Sequence, residues 1–350
     1  MIAPRLPSRA LTAAISLALL ACLLAVPSAL GGGAGAGCSS AASPRCRPVA
    51  GTHAHAAGSY LTGIGDESAR MFANPLYEQL HTRIVRYIAP YDAAVHSYYR
   101  QQASAFIHDA EAQHEQVLVA FYHSEYTPMQ TPSVATYESD VQRFVKLFPN
   151  VRQYESWDEA NRGYVPGLFT SPTAATAARY YQALIRVCRG CTVIGLDILD
   201  AEKIEPTLTY IAEFKREIYR LETIMPTIWG LHNYADVNHL ESWRTHELVK
   251  RLGGQVWLTE TGGIVKFGGA FPNRDGAGLT RAAKVLRFSF ALAGSVAQIK
   301  RVYIYNWSGG TSSTRFDAGL TNVDGRPRAG YVVVCRQLHA ARCGVKIASN

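Results

Sequence analysis

From Ser59 onward the chain alternates strand-like and helix-like segments so regularly that few folds satisfy it. Short apolar or alternating runs at 60–65, 83–88, 116–122, 151–156, 192–196, 228–232, 256–259 and 301–306 read as strands. Helix-length segments lie between them, at 98–114, 134–148, 174–189, 205–219, 240–252 and 279–294, with a short one from 74 and a last one at 329–338. In 134–148, Val134, Tyr137, Val141, Phe144, Val145 and Phe148 recur at the spacing of one helix face. Strands joined through helices run parallel. Eight such units leave no chain for a second domain, so the expected class is α/β and the expected architecture a single (β/α)8 TIM barrel. At 350 residues and 48% hydrophobic the chain can bury a core of that size.

A barrel of this kind keeps its chemistry on the rim formed by the C-terminal ends of its strands. The polar residues expected there are Arg86 from the second strand, His123 from the third, and Asp158, Glu159 and Asn161 from the fourth. The sixth supplies His232 and Tyr234, the seventh Glu260 and the eighth Trp307. Asp66, Glu67, Glu125 and Asp236 also fall near strand ends, where each either binds a ligand hydroxyl or is simply solvated. Residues 164–169 (YVPGLF) are placed to wall a cleft. Two carboxylates on separate strand ends make a candidate pair of proton donor and nucleophile, which must be driven to different protonation states. Arg86 and the Tyr234 hydroxyl are expected to hold Glu260 anionic, leaving Glu159, beside Trp157 and less compensated, to keep its proton.

These motifs resemble those of the clan A glycoside hydrolases, the barrel superfamily that includes families 5 and 39. The W-N-E-P-N-like motif on strand four is matched by Trp157-Asp158-Glu159-Ala160-Asn161, and the W-x-T-E-x-G-like motif on strand seven by Trp257 to Gly262. The arginine on strand two, the H-x-Y on strand six and the tryptophan on strand eight are matched by Arg86, His232-Asn233-Tyr234 and Trp307, and 316–331 is similar to the strand-eight loop of several of these families. The resemblance implies retaining hydrolysis of a β-linked oligo- or polysaccharide, with Glu159 as acid/base and Glu260 as nucleophile. It implies sugar contacts from Arg86, His123, Asp158, Asn161, His232, Tyr234 and Trp307, and no metal or organic cofactor. One position departs from the pattern. Asp158 stands where the clan carries an asparagine that bonds the sugar 2-hydroxyl; a carboxylate cannot donate as an amide does, and its charge would raise the pKa of Glu159. The alternatives kept open are a carbohydrate- or cell-wall-binding barrel that does not cut, and a transglycosylase.

Ahead of the barrel, Arg5 and Arg9 precede an apolar run over 11–26 and then small residues, the order of a secretory signal peptide. The expected organisation is a signal segment at 1–29, a Gly-, Ala-, Ser- and Pro-rich linker at 30–57, and a catalytic domain at 58–350. Of seven cysteines, Cys22 lies in the signal segment, and the other six suggest disulfides after export. Local pairing gives Cys38 with Cys46, Cys188 with Cys191, and Cys335 with Cys343. The net charge of +8 comes without the long basic run of a nucleic-acid tail. The expected protein is therefore a monomer, secreted or on the cell-envelope exterior, with carbohydrate as partner, no nucleic acid, and no stable membrane association after signal cleavage.

Overall fold

The computed structural model describes residues 59–339 and 343. The signal segment, the linker and the Cys38–Cys46 pairing fall outside the described residues. Eight strand positions close a parallel barrel: β1 Leu61–Asp66, β2 Ile84–Pro90, β3 Gln116–Tyr122, β4 Gln153–Glu155, β5 in two pieces (Thr192–Ile194 and Asp197–Leu199), β6 Ile228–His232, β7 Gln255–Thr261 and β8 Ile299–Tyr305. β1 pairs with both β2 and β8, which joins the two ends of the chain's sheet. The first piece of β5 pairs with β4 and the second with β6. Across the break, the Gly195 amide donates to the Ile228 carbonyl and the Gly230 amide to the Leu196 carbonyl, so the wall stays continuous.

The helices Ser97–Ala112, Val134–Leu147, Ala174–Val187, Glu205–Arg220, Trp243–Leu252, Ala277–Ser295 and Ala329–Gln337 cover the outside. Ser133 and Thr173 start two of them as N-caps, accepting from the Thr136 and Thr176 amides. The helix expected over 240–252 begins only at Trp243, because a separate short helix, Tyr234–His239, follows β6 directly. Asp236 explains the split: its carboxylate accepts from the Thr245 amide at 2.6 Å and from the Arg244 side chain, anchoring the start of the next helix. The expected bonds Cys188–Cys191 and Cys335–Cys343 are both formed. Among the described residues no helix is long and apolar enough to cross a membrane.

Inside the barrel the side chains change character along the axis. Ile84, Leu118, Ile194, Trp257 and Tyr303 form a buried apolar plug. Two residues further along β2, on the same face, comes Arg86. Strict alternation would then turn residues 194 and 196 of β5 inward. The break at 195–196 instead lets Ile194 join the plug while Asp197 reaches the guanidinium of Arg86. β7 carries a matching irregularity, with register shifts on both sides of Glu260. Thr259 bonds inward to Asp197, and its neighbour Glu260 also points inward, to Arg86.

The turn after β4 is held from outside by stacked aromatics. Trp157 stacks on Tyr180 at 5.4 Å, Tyr180 stacks on Tyr137 at 4.2 Å, and the Tyr137 hydroxyl donates to the Ser156 carbonyl. Such pairs add to plain burial through ring electrostatics. Close approach of β1 to β2 requires glycine at 63, where a Cβ would lie 2.1 Å from the Ile84 carbonyl oxygen. Gly63→Ala is therefore expected to cost about 1–3 kcal/mol and lower the melting temperature by several degrees. An unchanged thermal transition would contradict this strand packing.

Candidate active site

Arg86 is fully buried and touches four carboxylates. Its Nε and Nη2 donate to the two oxygens of Glu155, both at 2.8 Å. Nη2 also reaches Asp158 at 2.5 Å and Asp197 at 3.5 Å, while Nη1 donates to Glu260 at 2.6 Å. Opposite it, His232 Nδ1 lies 3.1 Å from Glu159 and 3.6 Å from Glu260. Its Nε2 lies 3.0 Å from Asp197 and 3.9 Å from Asp158. Tyr234 donates to the second oxygen of Glu260 at 3.2 Å.

Glu159 owes its direction to a tight turn. It adopts a left-handed backbone (φ 45°), uncommon for a residue with a side chain. Hydrogen bonds from the Asp158 amide to the Phe121 carbonyl and from the Ala160 amide to the Asp197 carbonyl hold the turn between β3 and β5. The carboxylates of Glu159 and Glu260 therefore meet across His232, with oxygens within 4.8 Å of one another.

The charge states differ from those expected. Burial pushes Glu159 up, but Arg162, whose Nη1 sits 2.5 Å from its carboxylate, and His232 outweigh it and hold Glu159 below its ordinary value. Glu260 is raised by burial, with Glu159 and Asp197 adding to the effect, in spite of His232 and Arg86. Glu159 is thus the better compensated of the pair, because Arg162 stands three residues beyond it. Asp158 is itself raised well above the carboxylate range, by burial and by the charges of Glu260 and Glu159. Glu155 is pushed up to about 7 by burial and by Asp197, while Asp197 falls to about 2 because His232 and Arg86 overcome its burial.

Arg86, Asp158, Glu159, His232, Tyr234 and Glu260 form one cluster; three other expected site residues do not join it. Asn161 spends its amide on Leu199 and Thr207, tying the β4 turn to the start of a helix. Trp307 is 2% exposed and packs edge-to-face with Tyr77 and Tyr331, away from the cluster's ion pairs. Tyr305 takes the expected place at the end of β8, bonding Glu67 at 2.8 Å. His123 sits at the edge, stacked on Phe169 and 3.9 Å from Glu125; burial lowers its pKa to about 4, so it is neutral. Among the other strand-end acids, Asp66 caps the backbone of Trp307 and Ser308, and Asp236 anchors a helix.

Three participants had a faint signal in the sequence. Glu155 is an acid inside a strand, two residues from Gln153; Asp197 interrupts the apolar run VIGLDIL; Arg162 follows Glu159 at one helical turn. Asp158, Asp197 and His232, and likewise Glu159, His232 and Glu260, offer sets of atoms close enough to share a cation. Arg86 already supplies positive charge to Asp158, Asp197 and Glu260.

No protein-family model matches the chain, and no curated protein sequence matches it. Solved structures do. A family 5 glycoside hydrolase from Streptomyces cattleya, in complex with GlcNAc, superposes with TM-score 0.59 at 14% identity, over 83% of this chain and 82% of that one. The native xylanase 10B from Thermotoga maritima gives 0.58 at 14%, over 80% and 95%. A family 39 glycoside hydrolase from Bacteroides cellulosilyticus gives 0.53 at 14%, over 81% of this chain and 64% of its own length. The chain has the fold of these glycoside hydrolases. It spans less than two thirds of the family 39 structure.

The electrostatics can be tested through stability. Arg86→Met removes the guanidinium that four buried carboxyl groups share and should cost about 3–5 kcal/mol at neutral pH, read by denaturant unfolding; a loss below about 1 kcal/mol would mean the cluster is not coupled to folding. Glu155, Asp200 and Glu115 are raised to about 7, and Glu67 to about 8, each chiefly by burial. The fold keeps protons on these groups that the unfolded chain releases, so their contribution is full below about pH 4, declines from there, and is gone once pH passes about 7 to 8. Glu159 and Asp197, held low, act the other way only in stronger acid. The melting temperature should therefore fall steadily from about pH 5 to about pH 8; a rise over that range would contradict the assignment.

Proposed function

We propose that the protein is a secreted glycoside hydrolase that cleaves a β-linked oligo- or polysaccharide with retention. Glu260 attacks the anomeric carbon, and Glu159 protonates the leaving oxygen and then deprotonates water. The observation that carries this reading is the meeting of the two glutamates across His232, with oxygens within 4.8 Å of one another. Retention needs carboxyl groups about 5–5.5 Å apart and inversion about 6.5–9.5 Å, and one oxygen of each acid lying within 4.8 Å of the other supports the closer class. Arg86 and Tyr234 both donate to Glu260, and the charge of Arg86 partly offsets the rise that burial imposes on this carboxyl. Beside Arg162 and Glu159, the buried Tyr122 hydroxyl has no hydrogen-bond partner among the described residues and could meet a sugar hydroxyl. Two disulfides support export to an oxidising compartment.

The pair is closed: Glu159 and Glu260 are 0% and 1% exposed. Arg162 covers Glu159 and lies 4.8 Å over the ring of Phe169, in the short hairpin Tyr164–Val165 and Phe169–Thr170. Gly163 and Gly167 in this segment have positive φ and open space around them. On this reading, substrate entry lifts Arg162 from Glu159, and the same movement lets the Glu159 pKa rise into the range of a proton donor.

The closure also favours a second reading, a barrel that binds glycan without cutting it, in which the acid pair belongs to an internal ion network. Turnover separates the two. Glu159→Gln and Glu260→Gln should each lower hydrolysis at least about a hundredfold with the fold intact, and the first product released by the wild type should keep its β configuration by NMR. Near-native turnover in either variant strips that glutamate of its catalytic role. Binding without turnover by the wild type, across glucans, mannans, xylans, galactans and arabinans, selects the second reading. With Arg162→Ala, the alkaline limb of the pH–rate profile should move to higher pH; a limb that stays in place would sever Arg162 from the donor.

A further inference from the structure

The loop after β2 with the first turn of the helix Ser97–Ala112, and the loop after β3, lie on the same rim as the turns that carry the two glutamates, and they hold an aromatic patch that the site does not use. Tyr98 and Tyr126 are 50% and 61% exposed. They are joined through Tyr99, whose ring centroid is 5.1 Å from that of Tyr98 and 6.0 Å from that of Tyr126. His96 lies against Tyr126 at 4.1 Å. Single exposed apolar side chains are ordinary on protein surfaces; four rings in contact along one edge of a candidate cleft form a surface.

Carboxylates lie at the foot of these rings. Asp92 is 6% exposed, and its Oδ2 contacts His96 Nε2 at 3.2 Å. Its other oxygen is buried with no hydrogen-bond partner among the described residues. A buried acceptor left unpaired is costly, so a donor from a ligand would be strongly favoured there. Glu125 lies close to both Tyr99 and Asp92. The patch is also continuous with the acid pair. Glu125 is 3.9 Å from His123, His123 stacks on Phe169, Arg162 lies over Phe169, and Arg162 holds Glu159.

We propose that Tyr98, Tyr99, Tyr126 and His96, with Asp92 and Glu125 below them, bind a distal sugar of an uncharged glycan chain whose reacting unit lies at Glu159 and Glu260. The last clause rests on the hydrolase reading; the platform itself does not. Tyrosine rings present flat apolar faces to the C–H side of a sugar ring, and carboxylates accept from its hydroxyls. Arg100 is a cation whose Nη1 donates to the Ala94 carbonyl, and His123 is neutral, so the carboxylates of Asp92 and Glu125 outnumber the one arginine at this patch. A chain of uronic acids would bring like charge onto Asp92 and Glu125 and be rejected. This preference is local, and it opposes the one the net charge of +8 suggests.

The test uses the full chain as the Glu260→Gln variant, with cello-, manno-, xylo- and β-1,4-galacto-oligosaccharides of two to six units, and oligogalacturonate of six, by calorimetry. A hexasaccharide of at least one uncharged series is expected to bind tighter than its disaccharide. Tyr98→Ala and Tyr126→Ala should each reduce that advantage roughly fivefold, with unchanged thermal unfolding because both side chains are exposed. An advantage that survives the double substitution, no dependence on chain length in any series, or equal binding of oligogalacturonate overturns the proposal. A wild type that binds long chains through these tyrosines yet turns over none of them defeats the hydrolase reading and leaves the platform standing. Hydrolysis that proceeds while the tyrosine variants ignore chain length does the reverse.

Discussion

A single guanidinium organises the upper half of the barrel. Arg86 gathers Glu155 from β4, Asp158 from the following turn, Asp197 from β5 and Glu260 from β7. Elements that are distant in sequence therefore share one counter-charge, and none of the acids can shift alone without leaving the others unbalanced. An arginine fits this place because its planar fork presents five donors in fixed directions, where a lysine would offer a point charge. The apolar plug of Ile84, Leu118, Ile194, Trp257 and Tyr303 beneath it excludes water from one side, which strengthens each ionic contact above. The two departures from regular pairing, in β5 and β7, bring Asp197 and Glu260 within reach of it.

The cluster contains more acids than it can keep ionised. Glu155, Asp158, Glu159, Asp197 and Glu260 face Arg86, His232 and Arg162, and a dry interior does not hold the excess negative charge. Glu159 and Asp197 have the strongest positive neighbours and stay ionised, while Glu155, Asp158 and Glu260 are the groups driven upward. This bears on the departure in the strand-four motif. A neutral carboxylic acid has one donor and further acceptor capacity, much as a side-chain amide does. With its proton, Asp158 recovers the donating function that its ionised form lacks, and it adds no charge to disturb Glu159.

The fold was legible because periodicity reports burial, and burial determines which segments become strands and helices. The runs at 116–122 and 228–232 were read to the residue for that reason. The cluster was legible where a residue type and a strand end coincide, as at Arg86, His232, Tyr234, Glu159 and Glu260, which the fold brings together. It was illegible where partners come from elsewhere in space. Asn161, expected as a sugar contact, gives its amide to Leu199 and Thr207, and Trp307, expected likewise, packs with Tyr77 and Tyr331. Arg162 shows the opposite failure. Its contact with Glu159 depends on a turn with a left-handed residue, which no periodic pattern announces.

The same turn links access to charge. Arg162 lies on Glu159 and holds its carboxyl below its ordinary value, so on the hydrolase reading Glu159 is both covered and the weaker proton donor of the pair while Arg162 remains. On the hydrolase reading, uncovering the acid and arming it are then one event, because removing a cation from a buried carboxylate favours its neutral form. Something must offset the lost ion pair, and the acid pair alone has little exposed surface with which to hold a ligand. Binding energy from contacts remote from the reacting bond meets that need, since such contacts stabilise a conformation that the reacting centre cannot reach unaided. A rim of exposed tyrosines joined to Arg162 through His123 and Phe169 is where this chain has such contacts to offer.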